Sequence, residues 1–310
     1  MMNNNSSQQD IDKLLEAEQF YDSFTIFAKS LFDNVIKTKT LDNKVVFNKI
    51  KTAYNFIHQN HRYIMRVKYP VDNENDNNYI VSHLVRTTII AMIIGMNMKF
   101  PAHRLIELGT AALLHDVGML SFPQEFYLKR HPLTDQEKLV LRIHPEQGYK
   151  LLAVNGFPQA VIDAVIEHHE RENGTGYPRN LKKDEICLYA KIIAVACSYE
   201  AISAERLHKA PRDQHEGIVE LLKNEGKQYN EQVLRALVYS LSVYPLGLYV
   251  LLSDGQKGQV VDIDPFNPRY PVVQLLDINS DNNSVNKKNR LVYTSPIGVF
   301  IVRPLKNGEL

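Results

Sequence analysis

Apolar side chains recur at steps of three and four residues over the first three quarters of the chain. Residues 11–70 carry this pattern, with Leu14 and Leu15 on one face, which predicts an N-terminal helical segment. The run VDNENDNN at 71–78 is polar and interrupts the periodicity, so we place a domain boundary there. Residues 1–10 are polar after two methionines, which predicts a disordered lead-in.

Residues 79–245 contain successive helical patterns with almost no strand alternation, which predicts an all-helical domain. The TDQE segment is a capping box in which the side chains of Thr134 and Glu137 satisfy free amides at a helix start. Helices are expected at 79–99, 102–115, 135–153, 158–169, 185–204, 212–225 and 230–243.

The sequence pattern changes after Pro245, where short runs rich in β-branched residues replace the helical periodicity. Residues 246–310 therefore predict a small antiparallel β subdomain of four or five strands. The fold class expected for the whole chain is mainly α, with this sheet at its C-terminal end.

The net charge of +1 gives the protein no strong overall field, so neither DNA nor a membrane surface is expected as a partner. The apolar run IIAMIIGM lies between Arg86 and Lys99, which leaves it too short to span a bilayer comfortably, and predicts a buried helix. No secretory signal pattern is present, and Cys187 and Cys197 form no CxxC pair. A cytoplasmic location is the expectation.

Several candidate metal ligands fall on the apolar faces or at the ends of the central helices. Leu108, Ala112 and His115 advance by helical steps, so His115 is expected on the inward stripe, and Gly118 is expected to end that helix. The other candidate ligands lie at similar positions and are His83, Asp116, His144, His168 and His169.

Imidazole and carboxylate groups in such numbers suit zinc, iron or manganese, and a carboxylate can bridge two ions. A lone histidine on an apolar face is more often a hydrogen-bonded core residue. Spacing alone leaves both interpretations open.

The motifs are more specific than the spacing. HDVG at 115–118, HPEQG at 144–148 and above all HHERENGTGYP at 168–178 resemble the HD-GYP family of phosphohydrolases. The likeness covers about residues 79–245, with His83 upstream of the first motif.

This resemblance implies a phosphodiesterase that hydrolyses cyclic di-GMP, a bacterial second messenger, to pGpG, with onward cleavage to GMP left open. It implies two divalent ions, Fe, Mn or Zn, that activate a hydroxide. One ion would be held by His83, His115 and Asp116 and the other by His144, His168 and His169, with Asp116 as the bridging, catalytic carboxylate.

The resemblance also assigns substrate and partner contacts to the loop that contains Gly176, Tyr177 and Pro178. Tyr177 could stack on a base or bond a phosphate, and the basic positions Arg171 and Arg206 could clamp phosphate. An ordinary glycine and proline turn is the alternative for this loop. Expected partners beyond the dinucleotide are a diguanylate cyclase or another signalling protein, and a second copy of the chain.

Three positions depart from the family pattern. Met119 stands where a lysine is usual, and Cys197 stands where the family has a metal-binding aspartate. Glu200, one helical turn beyond Cys197, is a candidate ligand or a partner of a ligand. Tyr79 replaces a glutamate that serves a third metal, so at most two metals are expected.

These departures leave three functions to distinguish. The first is an active cyclic di-GMP phosphodiesterase. The second is a catalytically weakened member that acts as a cyclic di-GMP sensor or protein-interaction module, which Met119 and Cys197 favour. The third is an HD phosphohydrolase acting on another nucleotide, against which the GYP string counts.

Overall fold

The computed structural model describes residues 2–67, 78–123, 134–203, 214–241, 244, 247–263, 270–276, 290–305 and 309. The chain divides into two compact units, one formed by residues 1–212 and 220–237 and the other by residues 213–219 and 238–310. The predicted fold class is confirmed, since the described residues form mainly α-helices followed by a small antiparallel sheet.

Two long helices open the first unit, α1 (Met2–Thr38) and α2 (Asn43–Ile64). Helix α2 begins after Asp42, whose carboxylate accepts hydrogen bonds from the amides of Lys44 and Val45. Helix α1 includes residues 2–10, where the composition predicts a disordered lead-in. A helix that has already nucleated on an apolar stripe adds one hydrogen bond per further residue, so polar residues can extend it.

The central helices follow the sequence pattern closely. They are α3 (Asn78–Asn97), α4 (Ala102–Leu114), the 3₁₀ helix η1 (Val117–Ser121), α5 (Asp135–Leu141), α6 (His144–Val154), α7 (Gln159–Glu167), the 3₁₀ helix η2 (Lys183–Glu185), α8 (Leu188–Ser203), α9 (Gln214–Lys223) and α10 (Glu231–Leu241). The domain boundary predicted at 71–78 lies almost entirely outside the described residues.

One predicted helix, 135–153, is two helices in the structure. The capping box of Thr134 and Glu137 starts α5 as expected. Helix α6 then begins anew at His144, with Pro145 in its first turn. Proline has no amide hydrogen to donate to a preceding turn, so it is tolerated at a helix start and not within one. The break places His144 at the start of a helix.

Helix α3 lies in the core of the first unit. Within the described residues, Ile80–Asn97 is the one window long and apolar enough to cross a membrane, and 83% of it is buried inside the protein. The buried helix predicted for the apolar run is therefore observed.

The second unit contains a five-stranded antiparallel sheet in the order β4-β3-β2-β1-β5. Its strands are β1 (Tyr249–Leu252), β2 (Lys257–Asp262), β3 (Val272–Leu275), β4 (Leu291–Tyr293) and β5 (Ile301–Pro304). One face carries a small core formed by Val250, Leu252, Val260, Val273 and Ile301.

Candidate metal centre

Asp116 lies at the junction between α4 and η1. Helix α4 ends at Leu114, and η1 continues directly from Val117. The sequence predicts that Gly118 ends a helix, but in the structure Gly118 lies within η1. A Cβ atom at Gly118 would lie 1.9 Å from the carbonyl oxygen of His144. Glycine is required there because it lets η1 contact α6, which brings Asp116 next to His144.

Three of the predicted ligands are oriented in the same way. The Nδ1 atoms of His115, His144 and His168 each lie within hydrogen-bond distance of the carbonyl oxygen three residues earlier. The distances are 2.8 Å from His115 to Ala112, 2.6 Å from His144 to Leu141 and 2.7 Å from His168 to Val165. A carbonyl can only accept, so Nδ1 carries a proton, and Nε2 presents a lone pair whenever the ring is neutral.

These lone pairs meet at Asp116. The Nε2 atoms of His144 and His168 are 3.3 Å apart, and Asp116 Oδ1 lies 3.1 Å from the first and 3.4 Å from the second. Asp116, His144, His168 and His169 offer four donor atoms within 4.8 Å of one another. Two lone pairs and a carboxylate oxygen facing one point repel each other unless a cation lies between them, so the residues suit a metal. We call these four residues the nitrogen-oxygen half.

A second group of donors faces the other carboxylate oxygen. Asp116 Oδ2 lies 3.3 Å from Nε2 of His115 and 3.9 Å from Nε2 of His83. The Sγ atom of Cys197 lies 3.6 Å from His83 Nε2. The donor atoms of His83, His115 and Cys197 are within 4.8 Å of one another, and we call these three residues the thiolate half.

Glu200 lies behind His83 and belongs to neither half. Its Oε2 atom contacts Nδ1 of His83, and its Oε1 atom lies 2.9 Å from Nε of Arg86. All three side chains are buried. Of the two roles considered for Glu200, ligand or partner of a ligand, the geometry matches the second, because the carboxylate fixes the ring that presents Nε2. Arg86 was not predicted from the sequence.

The electrostatics differ between the two halves. Burial disfavours the charge on Asp116, but the nearby imidazoles, His115 above all, hold its pKa well below the usual value. Burial lowers the pKa of His168 to about 4, so this ring is neutral near pH 7. Burial disfavours the Cys197 thiolate, but His83 and His115 lower its pKa to about 6. Burial also disfavours the charged forms of His83 and His115, but Glu200 raises the pKa of His83 and Asp116 raises that of His115 to about 10, so these two rings must release a proton when a metal binds.

The GYP loop packs against the histidine pair. A Cβ at Gly176 would lie 2.4 Å from the Cα atom of Glu170, so this glycine allows close contact between two segments of the chain itself. The ring of Tyr177, which Pro178 follows, stacks on His169 with 4.6 Å between centroids. Tyr177 thus lines one side of the nitrogen-oxygen half.

Two buried glutamates that sequence reasoning missed flank the histidine pair. Glu170 accepts hydrogen bonds from the amides of Arg179 (2.7 Å) and Leu181 (3.0 Å). Glu167 accepts from the amide of Cys187 (2.7 Å) and contacts the Arg179 guanidinium. They tie the segment after the GYP motif to the histidines. Their position directly before and after His168 and His169 is the signal that could have found them.

The predicted cationic contacts differ in their surroundings. Arg171 donates from Nη1 to the carbonyl oxygens of His168 (3.3 Å) and Glu170 (2.9 Å). Arg206 lies outside the described residues. Met119 is half-buried in η1. Arg142, which was not predicted, is exposed, and its guanidinium carbon lies 5.3 Å from the Tyr177 ring centroid.

With this geometry established, comparison with known proteins identifies the class. The family model described as HD domain matches residues 71–233, more than half of the 310 residues. The chain therefore belongs to the HD-domain family.

Individual relatives and a solved structure resemble the chain over a large part of its length. The chain is 28% identical to the cyclic di-GMP phosphodiesterase PdeB of Borreliella burgdorferi, over 75% of this chain and 62% of that protein. It is 34% identical to the cyclic di-GMP phosphodiesterase PA4108 of Pseudomonas aeruginosa, over 59% and 44%. It thus spans less than two thirds of the length of either relative.

The fold resembles that of Bd1817, an HDG"Y"P protein from Bdellovibrio bacteriovorus. The TM-score is 0.58 and the identity 19%, over 73% of this chain and 71% of that one. The mainly helical HD-type fold predicted from the motifs is confirmed.

Proposed function

We propose that this chain is a metal-dependent phosphodiesterase that hydrolyses cyclic di-GMP to pGpG. The observation that carries the proposal is the bridging position of Asp116, whose two oxygens face two separate groups of ligand atoms. Relatives that carry the name cyclic di-GMP phosphodiesterase support this choice of substrate.

The metal-holding residues divide between two ions of Fe, Mn or Zn. His144, His168 and His169 would hold one, His83 and His115 the other, and Asp116 both. Two bound divalent ions supply a nucleophile derived from water near neutral pH and stabilise charge on the phosphate.

Hydrogen bonds at Nδ1 hold the metal-binding rings of His115, His144 and His168 in place before any ligand binds, so little reorganisation is needed.

Other side chains position the substrate. Tyr177 offers an aromatic surface for a guanine base beside His169. Arg142 places an exposed cation next to that ring, where a phosphate can contact it. Arg171, Gly176, Pro178 and Arg206 stay predicted contacts.

Turnover by the purified full chain tests the proposal. Metals are measured by elemental analysis, and cyclic di-GMP is followed by chromatography with Mn²⁺ or Fe²⁺. We expect pGpG from the wild type and from His103→Ala, which alters an exposed histidine of α4, and none from His115→Ala. Onward cleavage of pGpG would appear as GMP in the same chromatograms.

A second candidate function is a sensor that binds cyclic di-GMP without cleaving it. Met119 favours it, since this half-buried side chain supplies no charge three residues from Asp116, where the family usually has a lysine. Tight binding without product would support the sensor. Cleavage of other nucleotides alone would support an HD phosphohydrolase of different specificity.

A further inference from the structure

Cys197 lies at the position that decides the chemistry of the thiolate half. It belongs to α8, and its sulfur faces the ring nitrogen of His83 that is not bound by Glu200. Cys197 and Glu200 are three residues apart, so they lie on one face of the helix. Helix α8 therefore contacts both nitrogens of the same imidazole, one through a carboxylate and one through sulfur.

A second observation, independent of the cysteine, indicates that a ligand belongs here. The His115 side chain is fully buried, and its Nε2 atom makes no hydrogen bond within the described part of the chain. Nε2 faces Asp116 Oδ2 at 3.3 Å. A buried imidazole nitrogen normally has a partner, and a cation shared with Asp116 would provide it.

We propose that Cys197 is a metal ligand, so that the centre consists of two chemically different halves. The donor set of the thiolate half is two imidazole nitrogens and one sulfur, completed by Asp116 Oδ2. Such a set favours a thiophilic ion, above all zinc in tetrahedral coordination. The nitrogen-oxygen half, with three imidazoles and Oδ1, suits iron or manganese equally well. The inference rests on the proposed function only in placing a divalent ion at Asp116.

Cobalt titration of the chelator-treated full chain tests the proposal, because Co²⁺ bound to thiolate absorbs in the near ultraviolet by sulfur-to-metal charge transfer. The wild type should develop this band within two equivalents of Co²⁺. Cys197→Ser should lose it, and Cys187→Ser, which alters the other cysteine of the chain, should keep it. Cys197→Asp should bind cobalt without the band.

A band that persists in Cys197→Ser, or its absence from the wild type, would overturn the proposal. X-ray absorption at the zinc edge needs no variant, so it remains decisive if the variants misfold. With one equivalent of Zn²⁺, the wild type should show a Zn–S distance of about 2.3 Å. A shell of nitrogen and oxygen alone, at about 2.0–2.1 Å, would contradict it.

These measurements fail independently of the proposed function. A sulfur ligand in a protein that does not cleave cyclic di-GMP leaves the inference intact and removes the function. Turnover by a protein whose metals have only nitrogen and oxygen ligands does the reverse.

Discussion

The two halves of the candidate centre present the same kind of imidazole nitrogen but hold it by different means. In the nitrogen-oxygen half, His144 and His168 each bond a carbonyl three residues earlier. In the thiolate half, His83 bonds Glu200, which lies 117 positions away in the chain. His144, His168 and also His115 are thus oriented by their own helix ends, whereas the orientation of His83 depends on the packing of α3 against α8.

Because the ligands are held differently, different substitutions should disrupt each half. A carbonyl bond within one helix end survives as long as the helix does. The bond between His83 and Glu200 requires a buried carboxylate, and Arg86 balances its charge. We therefore expect substitutions to separate the halves, with Asp116 as the residue common to both.

The largest effect is expected for Asp116→Asn. The variant loses the carboxylate that faces both halves, so both ions should bind more weakly. Losing a residue that merely supports a ligand costs 10–100-fold, so turnover should fall by more than about 100-fold. Elemental analysis and product chromatography measure this, with the exposed Asp184→Asn as control. Retention of both ions would contradict the bridging role.

Glu200→Gln should affect one half only. The His83 ring loses its charged partner, so the affinity of the thiolate half should fall by about 10–100-fold while the other ion stays. Competition with a chromophoric chelator measures the two affinities. Exposed Glu185→Gln is the matched control. Unchanged stoichiometry and affinity would show that Glu200 does not support the metal.

Gly118→Ala tests the contact that joins the halves. The added methyl group would lie 1.9 Å from a backbone oxygen, so η1 must move away from α6. Overpacking of this kind costs about 1–3 kcal/mol, and it should lower Tm and weaken metal binding together. Ser121→Ala, on the exposed end of η1, should change neither. A stable variant with full metal content would argue against the close contact.

Arg142→Ala should produce the smallest effect, on substrate alone. Loss of one charge-assisted phosphate contact at an exposed site should raise KM by at most about tenfold and leave the metal content unchanged. Steady-state kinetics measure the change, with exposed Lys150→Ala on α6 as control. A lower kcat at unchanged KM would mean that Arg142 does not bind the ground-state substrate.

Sequence reasoning reached the fold class and the histidine set because both depend on local patterns. Helical steps placed His115 and His168 on inward faces, and both are buried in the structure. The interpretation of Gly118 was wrong, since a sequence pattern cannot distinguish a glycine that ends a helix from one that lets two elements touch. Glu167 and Arg86 were missed because their partners are distant in the chain or unmarked by any motif.

The sequence by itself determined most of the helices and which imidazoles could serve as ligands, since helical periodicity and a capping box act over a few residues. Only the tertiary structure decided which donor atoms lie close enough to share a cation. Asp116 reaches His144 because a glycine allows η1 to approach α6, and Cys197 reaches His83 because α8 packs on α3. Contacts between distant segments depend on packing, which no local pattern encodes.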